Sequence, residues 1–139
     1  MTDTNSYLIT NWEETPVEAL PSPLKFTVAR VTRKHDGLLR GVETMHYTLM
    51  YSNEQTSEFV GIGQIDGELD GQKGRFALFE SGNFDQGVVT GKFDLRILCQ
   101  HSDLALSIGV ASYRSGMTET VPYSLEISSD FLTRLSTRS

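Results

Sequence analysis

Three charged residues lie on the apolar faces of predicted strands, where a side chain can do chemistry. Glu43, Glu80 and Arg30 each share the period-two parity of apolar neighbours. A buried charge is costly unless it is paired, so such a carboxyl would bind Arg30 or a tyrosine hydroxyl, or its pKa would rise toward neutrality. A raised carboxyl pKa is typical of general acid–base catalysts. The apolar residues of the same parity are Tyr47 and Tyr51 for Glu43, Phe76 and Leu78 for Glu80, and Leu24, Phe26 and Val28 for Arg30.

Three roles are open to these carboxyls. The simplest expectation is that Glu43 and Glu80 lie near strand ends and reach solvent at the rim of the fold. Alternatively, they anchor a small molecule, or one of them moves a proton. No residue is assigned a catalytic role. The predicted cavity residues are Arg30, Glu43, Tyr47, Tyr51, Phe76, Leu78 and Glu80.

Neither a metal site nor a cofactor site is predicted. His35, His46 and His101 lack the close spacing of a recognisable metal site, and we expect solvated or hydrogen-bonded imidazoles, with His35 in a turn. Folding could still bring Cys99, His101 and Asp103 against another ligand. The glycine-rich run 61–66 has aspartate where a dinucleotide fingerprint has its third glycine, and no helix pattern follows it.

The elements that must position these residues are strands. Apolar residues alternate with period two, most cleanly over 88–97, and glycines crowd the middle of the chain. Gly61 and Gly63, inside an apolar run, indicate a bulge, a bend or a close approach of backbone. Short connections without helices imply antiparallel neighbours. The predicted strands are 7–12, 24–33, 41–51, 58–65, 74–81, 88–97, 104–114 and 121–128.

These strands predict an all-β domain, a closed antiparallel eight-stranded barrel that leaves no free edges, with a two-sheet sandwich as the alternative. The domain spans 1–139, with 1–6 and 129–139 as loose ends, the latter able to form a helical turn. The proline-rich segment 13–23 is predicted as an extended crossing connection. Trp12 is expected to plug one end of the barrel.

The composition restricts the function classes. The net charge of −6 counts against nucleic acid or an anionic membrane as a partner. The single cysteine, Cys99, fits a reducing compartment, and no signal peptide or apolar membrane span is visible. We therefore expect a cytoplasmic protein.

A set of residues and short runs over about residues 7–125 carries a family resemblance. They are Trp12, Val31, Gly37, Gly41, Thr44, Tyr47, Tyr51, 59–61, 67–71, 74–76, 82–85 and 123–125. In these residues the chain resembles an uncharacterised bacterial family, domain of unknown function 3224. Its members are similar to allene-oxide-cyclase or calycin-type barrels that form homo-oligomers, and the resemblance implies that fold without a cyclase activity. Where many members carry a histidine two positions before the glycine matched by Gly82, this chain has Glu80.

The function favoured by the sequence is binding of a small apolar molecule inside the barrel. Two alternatives are an isomerase or cyclase that uses a buried carboxyl, and an oligomeric structural or interaction protein. The apolar residues Val42, Met50, Phe79 and Val88 on the opposite strand face would form the contact between subunits.

Overall fold

The structure, a computed structural model, describes residues 4–98, 107–116 and 118–128. Eight antiparallel strands form within these residues, as the period-two alternation predicted. Each strand pairs with the next in sequence, and β8 pairs with β1, so the sheet closes into a barrel. The strands are β1 (Asn5–Glu18), β2 (Lys25–Asp36), β3 (Leu39–Asn53), β4 (Thr56–Leu69), β5 (Gln72–Asp85), β6 (Val88–Leu98), β7 (Gly109–Ser115) and β8 (Thr120–Ile127).

Strand β1 departs most from the prediction. It continues to Glu18, through most of the segment predicted as a crossing connection. Pro16 is compatible with a strand here because β8 pairs with β1 only over Asn5–Leu8, which leaves the far edge of the rest of β1 outside that ladder. The predicted start of β7 at residue 104 and the C-terminal helical turn fall outside the described residues.

The barrel interior is packed solidly at one end. Met45, Phe76 and Leu78 are at most 2% exposed there, whereas Leu49, which also points inward and is 4% exposed, lies nearer the other end. Leu39 and Leu69, which flank the β2–β3 and β4–β5 turns, are fully buried at that end. This apolar packing supports the polar groups that lie above it.

Among the described residues, no helix has the length and hydropathy that crossing a membrane requires. On the outer surface, Val42 and Met50 are exposed, as predicted. Phe79 is only half-buried, and the Arg96 guanidinium stacks 4.1 Å from the centre of its ring.

Candidate functional site

An arginine and two carboxylates form a salt-bridge network in the middle of the barrel. Arg33 of β2 and Glu43 of β3 are direct cross-strand partners, with Arg33 Nε 2.6 Å from Glu43 Oε1. Arg33 Nη2 is 2.9 Å from Oε1 of Glu80 on β5. All three side chains are out of contact with solvent. A network this dry is stable only when its charges are paired and hydrogen-bonded.

Two tyrosines complete the coordination of Glu80. Tyr47 and Tyr113 donate hydrogen bonds to Glu80 Oε2 at 2.5 and 2.6 Å, and Arg33 Nη1 donates to the Tyr47 hydroxyl at 3.0 Å. Tyr113 reaches Glu80 across Gly91, where a Cβ would overlap the tyrosine ring. Because Arg33, Tyr47 and Tyr113 all donate to it, Glu80 is held in place as an acceptor.

His35 extends the network toward β8. Its Nε2 lies 2.8 Å from Glu43 Oε1, and its Nδ1 lies 2.9 Å from the Tyr123 hydroxyl. A carboxylate only accepts, so Nε2 carries the proton and Nδ1 accepts from Tyr123. Burial lowers the pKa of His35 more than its bond to Glu43 raises it, so the imidazole is neutral near pH 7.

The network, which we call the buried charge cluster (Arg33, His35, Glu43 and Glu80), has one cation for two carboxylates. Burial alone raises the pKa of Glu43, but Arg33 and His35 outweigh it and bring the pKa to about 2. Burial alone lowers the pKa of Arg33, and Glu43 and Glu80 hold it well above its ordinary value. With His35 neutral, the cluster carries a formal charge of −1. Within the described part of the chain, Glu43 Oε2 has no hydrogen-bond partner.

A cavity of about 700 Å³ opens above this cluster. Its floor includes Arg33, Tyr47 and Tyr113, together with Tyr7, whose ring lies 4.3 Å from the Arg33 guanidinium carbon. Burial raises the pKa of Tyr7 to about 12, so the phenol stays protonated. The walls are mostly apolar and aromatic, and they include Ile9, Trp12, Val31, Leu49, Tyr51, Phe59, Phe84, Val89 and Val121.

A second carboxylate site lies in the cavity wall. Glu14 Oε2 accepts from Thr27 and Tyr51, each at 2.6 Å, and Oε1 accepts from Trp12 Nε1 at 3.0 Å. Partial burial by itself would raise the pKa of Glu14. The three donors and the nearby Lys25 together lower it by more, so the pKa lies below its ordinary value. Glu14 is therefore a carboxylate held in one position.

The structure brings most of the predicted residues into the interior, although not where the simplest expectation put the carboxyls. Glu43 and Glu80 are 0% and 4% exposed, so the expectation that they reach solvent at the rim is wrong. Tyr47 and Tyr51 line the cavity, whereas Phe76 and Leu78 belong to the packed core below it.

The prediction that Arg30 points into the barrel is wrong. The residue lies on the exposed outer face, because the inward residues of β2 are the odd-numbered ones, Thr27 to His35. The apolar Leu24 and Val28, which suggested the opposite parity, are 45% and 43% exposed. His35 is likewise buried in β2 and not in a turn.

Trp12 also differs from its prediction. It is 42% exposed and lines the open cavity, so it does not plug the barrel. Its indole contributes instead to the wall, with a ring centroid 6.0 Å from that of Tyr47.

Sequence reasoning missed Arg33, Tyr7, Tyr113 and Glu14. A signal for Arg33 is present in the sequence: Asp36-Gly37 is a typical turn dipeptide, and a hairpin closed there places Arg33 opposite Glu43. No comparable signal existed for Tyr113, which meets Glu80 only through the closure of the barrel. Among the described residues, no group of three or more His, Cys, Asp or Glu side chains could hold a metal ion. The predicted trio Cys99, His101 and Asp103 lies outside them.

Fold and site define this protein as a closed eight-stranded antiparallel barrel with an internal cavity above a buried charge cluster. The family model described as "Protein of unknown function (DUF3224)" matches residues 3–126. The chain therefore belongs to the DUF3224 family, as its sequence runs suggested. No curated protein matches the chain.

Proposed function

We propose that this protein binds a small molecule with a largely apolar body in the barrel cavity. The observation that carries the proposal is the cavity itself, about 700 Å³ in volume, with an aromatic and aliphatic wall above a few fixed polar groups. Ligand sites in proteins are commonly concave, about 300–1,000 Å³ in volume, and built in this way. Tyr47, Tyr113 and Arg33 at the floor would orient a polar group of the ligand.

Blocking the cavity tests this proposal. The neutral dye Nile red serves as the probe, and Val89→Trp places a large side chain on the cavity wall. The matched control is Val60→Trp, because Val60 is 58% exposed on the outer face. We expect saturable one-to-one binding by the unmodified protein, unchanged in the control and weakened at least about tenfold in Val89→Trp. Absence of saturable binding, or equal binding by both variants, would contradict the proposal.

The isomerase or cyclase alternative has less support. Glu43 and Glu80 do not line the cavity, and their oxygens accept hydrogen bonds from Arg33 and, in the case of Glu80, from Tyr113. The pKa of Glu43, about 2, is far from that of a general acid at neutral pH. The groups that do reach the cavity floor are suited to hydrogen bonding with a ligand.

We also propose that the protein forms a homo-oligomer through the outer face of β2, β3 and β4. Val28, Val42, Met50, Val60 and Ile62 are exposed there by 42–58%. Clustered apolar exposure of this kind is typical of interaction surfaces. Sedimentation velocity at micromolar concentration should give an oligomer, which Ile62→Glu dissociates and Glu68→Gln, elsewhere on β4, does not. A monomer at these concentrations would contradict the proposal.

The cytoplasmic location, the bacterial origin and the likeness to allene-oxide-cyclase barrels are predictions from the sequence. They fit a binding protein for a small intracellular molecule.

A further inference from the structure

We infer that the ligand carries a cationic ammonium head, bound beside Glu14 between the aromatic rings of the cavity wall. This inference rests on the proposed binding function and adds the charge of the ligand. The hydrogen bonds of Glu14, the charged residues of the cavity lining and the aromatic rings beside Glu14 all favour a cation.

Glu14 is a fixed carboxylate without a counter-ion. Three side-chain donors hold its two oxygens, and among the described residues no Lys, Arg or His nitrogen lies within 4.0 Å of them. Lys25, which is close enough to affect the pKa of Glu14, lies 5.1 Å from the centre of the Tyr51 ring. An ammonium group in the cavity would complete the ion pair that the protein leaves open.

The charged residues of the cavity lining do not favour an anionic ligand. They are Glu14, Arg33 and Glu119. Arg33 makes hydrogen bonds of 2.6–3.4 Å to Glu43, Tyr47 and Glu80 through Nε, Nη1 and Nη2, and the Nη1 bonds to Tyr47 and Glu80 share one N–H because these two acceptors are only 2.5 Å apart. The charge of Arg33 is already paired with Glu43 and Glu80, and the other two charged residues of the lining are acidic, so the lining favours a cation over an anion. A carboxylate ligand would compete with Glu43 and Glu80 for Arg33.

The aromatic rings near Glu14 suit a cation. Trp12 donates to Glu14 through its indole, Tyr51 donates through its hydroxyl, and both rings line the cavity. One face of the Tyr51 ring already holds the Lys25 ammonium, 5.1 Å from the ring centre. Ammonium groups bind over such ring faces, and a carboxylate beside them adds a direct charge interaction.

Three probes with the same phenylbutyl body test the inference, one ending in trimethylammonium, one in hydroxyl and one in carboxylate. Trp12 is the only tryptophan in the chain and lines the cavity, so its fluorescence reports binding at this site. Calorimetry measures the same affinities independently. We expect the ammonium probe to bind at least about tenfold more tightly than the carboxylate probe, with the alcohol between them.

Two variants locate the source of the preference. In Glu14→Gln the preference for ammonium over alcohol should fall several-fold, whereas Glu13→Gln, at the exposed neighbouring residue, should leave it unchanged. Added NaCl should weaken the ammonium probe more than the alcohol in the unmodified protein, a result that needs no variant. Equal affinities for all three probes, or a preference that survives Glu14→Gln, would overturn the inference while leaving the cavity a binding site. Failure of all three probes and of Nile red would overturn both proposals.

Discussion

Among the described residues, Arg33 is the only Lys or Arg that forms a salt bridge with Glu43 and Glu80. Its guanidinium bonds Glu43 at 2.6 Å and Glu80 at 2.9 Å, and the aromatic ring of Tyr7 covers it. Removing one partner of a buried ion pair leaves an uncompensated charge, which costs far more than the pair contributes. The pairing of both buried carboxylates therefore depends on the Arg33 guanidinium.

Replacing Arg33 with methionine should destabilise the protein by about 3–5 kcal/mol. The reason is that Glu43 and Glu80 would then face each other in a dry interior without a positive charge. Arg30→Met is the control, since Arg30 is exposed on the same strand and its loss should cost less than about 0.5 kcal/mol. Urea denaturation followed by circular dichroism measures both, and similar losses in the two variants would contradict the salt-bridge network.

The free energy of unfolding should fall as the pH is lowered from 7. His35 has a lowered pKa when folded, so the unfolded chain binds more protons below about pH 6.5 and the native state loses stability there. Glu43, with a folded pKa of about 2, contributes stability that is present above its unfolded pKa and lost between about pH 5 and 2. The Glu43 contribution is about 3 kcal/mol at neutral pH.

Urea titrations at pH 7, 5.5, 4 and 3 measure this dependence. His35→Gln should remove the first part of the loss and leave the second. A stability that is constant from pH 7 to 3 would be incompatible with the buried charge cluster.

The registers of the β2–β3 and β4–β5 hairpins, together with the glycines in them, determine which charged side chains meet in the barrel. The β2–β3 register pairs Arg33 with Glu43, and the β4–β5 register pairs Gly61 with Glu80. Gly61 and Gly63 were predicted to mark a bulge, a bend or a close approach of backbone. The close approach is confirmed, because side chains from β3 lie against both.

Gly63→Ala should destabilise the protein by about 1–3 kcal/mol or more. A Cβ at Gly63 would overlap the Glu43 carboxylate, which Arg33 and His35 hold from the other side. Gly116→Ala is the control, because a Cβ there meets nothing within 4 Å. Thermal unfolding of both variants measures the difference, and a Gly63→Ala protein as stable as the control would show that Glu43 can move aside.

The barrel is closed by a ladder of four residue pairs between β8 and β1, the same number as between β7 and β8. β8 meets β1 only over Thr120–Tyr123 and Asn5–Leu8, whereas β4 and β5 pair along Thr56–Leu69 and Gln72–Asp85. One residue of this seam is Pro122, which has no N–H to contribute. The two ladders of β8 are therefore the least extensive in the described sheet, and the β8–β1 seam is one of them.

Amide hydrogen exchange should reveal this seam. We expect the amides of Val121 and Tyr123 to exchange at least about 100-fold faster than those in the centre of β4, because local opening needs fewer ladder bonds to break. Mass spectrometry of peptic fragments, or nuclear magnetic resonance, gives the rates. Equal protection in the two ladders would mean that the barrel opens only as one unit.

The inward faces of β3 and β6 were predictable because both strands largely alternate between apolar and polar residues. The inward face of β5 was predicted from the shared parity of Phe76, Leu78 and Glu80, although residues 76–79 are all apolar. Glu43, Tyr47 and Glu80 were accordingly predicted on the correct faces. Strand β2 was not, because both of its faces carry apolar residues. Leu24 and Val28 point outward while Ala29 and Val31 point inward.

The eight-stranded antiparallel fold and the family of the chain were predictable from the amino-acid sequence. Both follow from patterns that are local along the chain, namely alternation, glycine spacing and turn residues. The meeting of Arg33, Glu43, Glu80 and Tyr113 at the base of one cavity is seen only in the folded structure. Their meeting depends on register and on ring closure, which bring together side chains that are 47 residues apart in the case of Arg33 and Glu80.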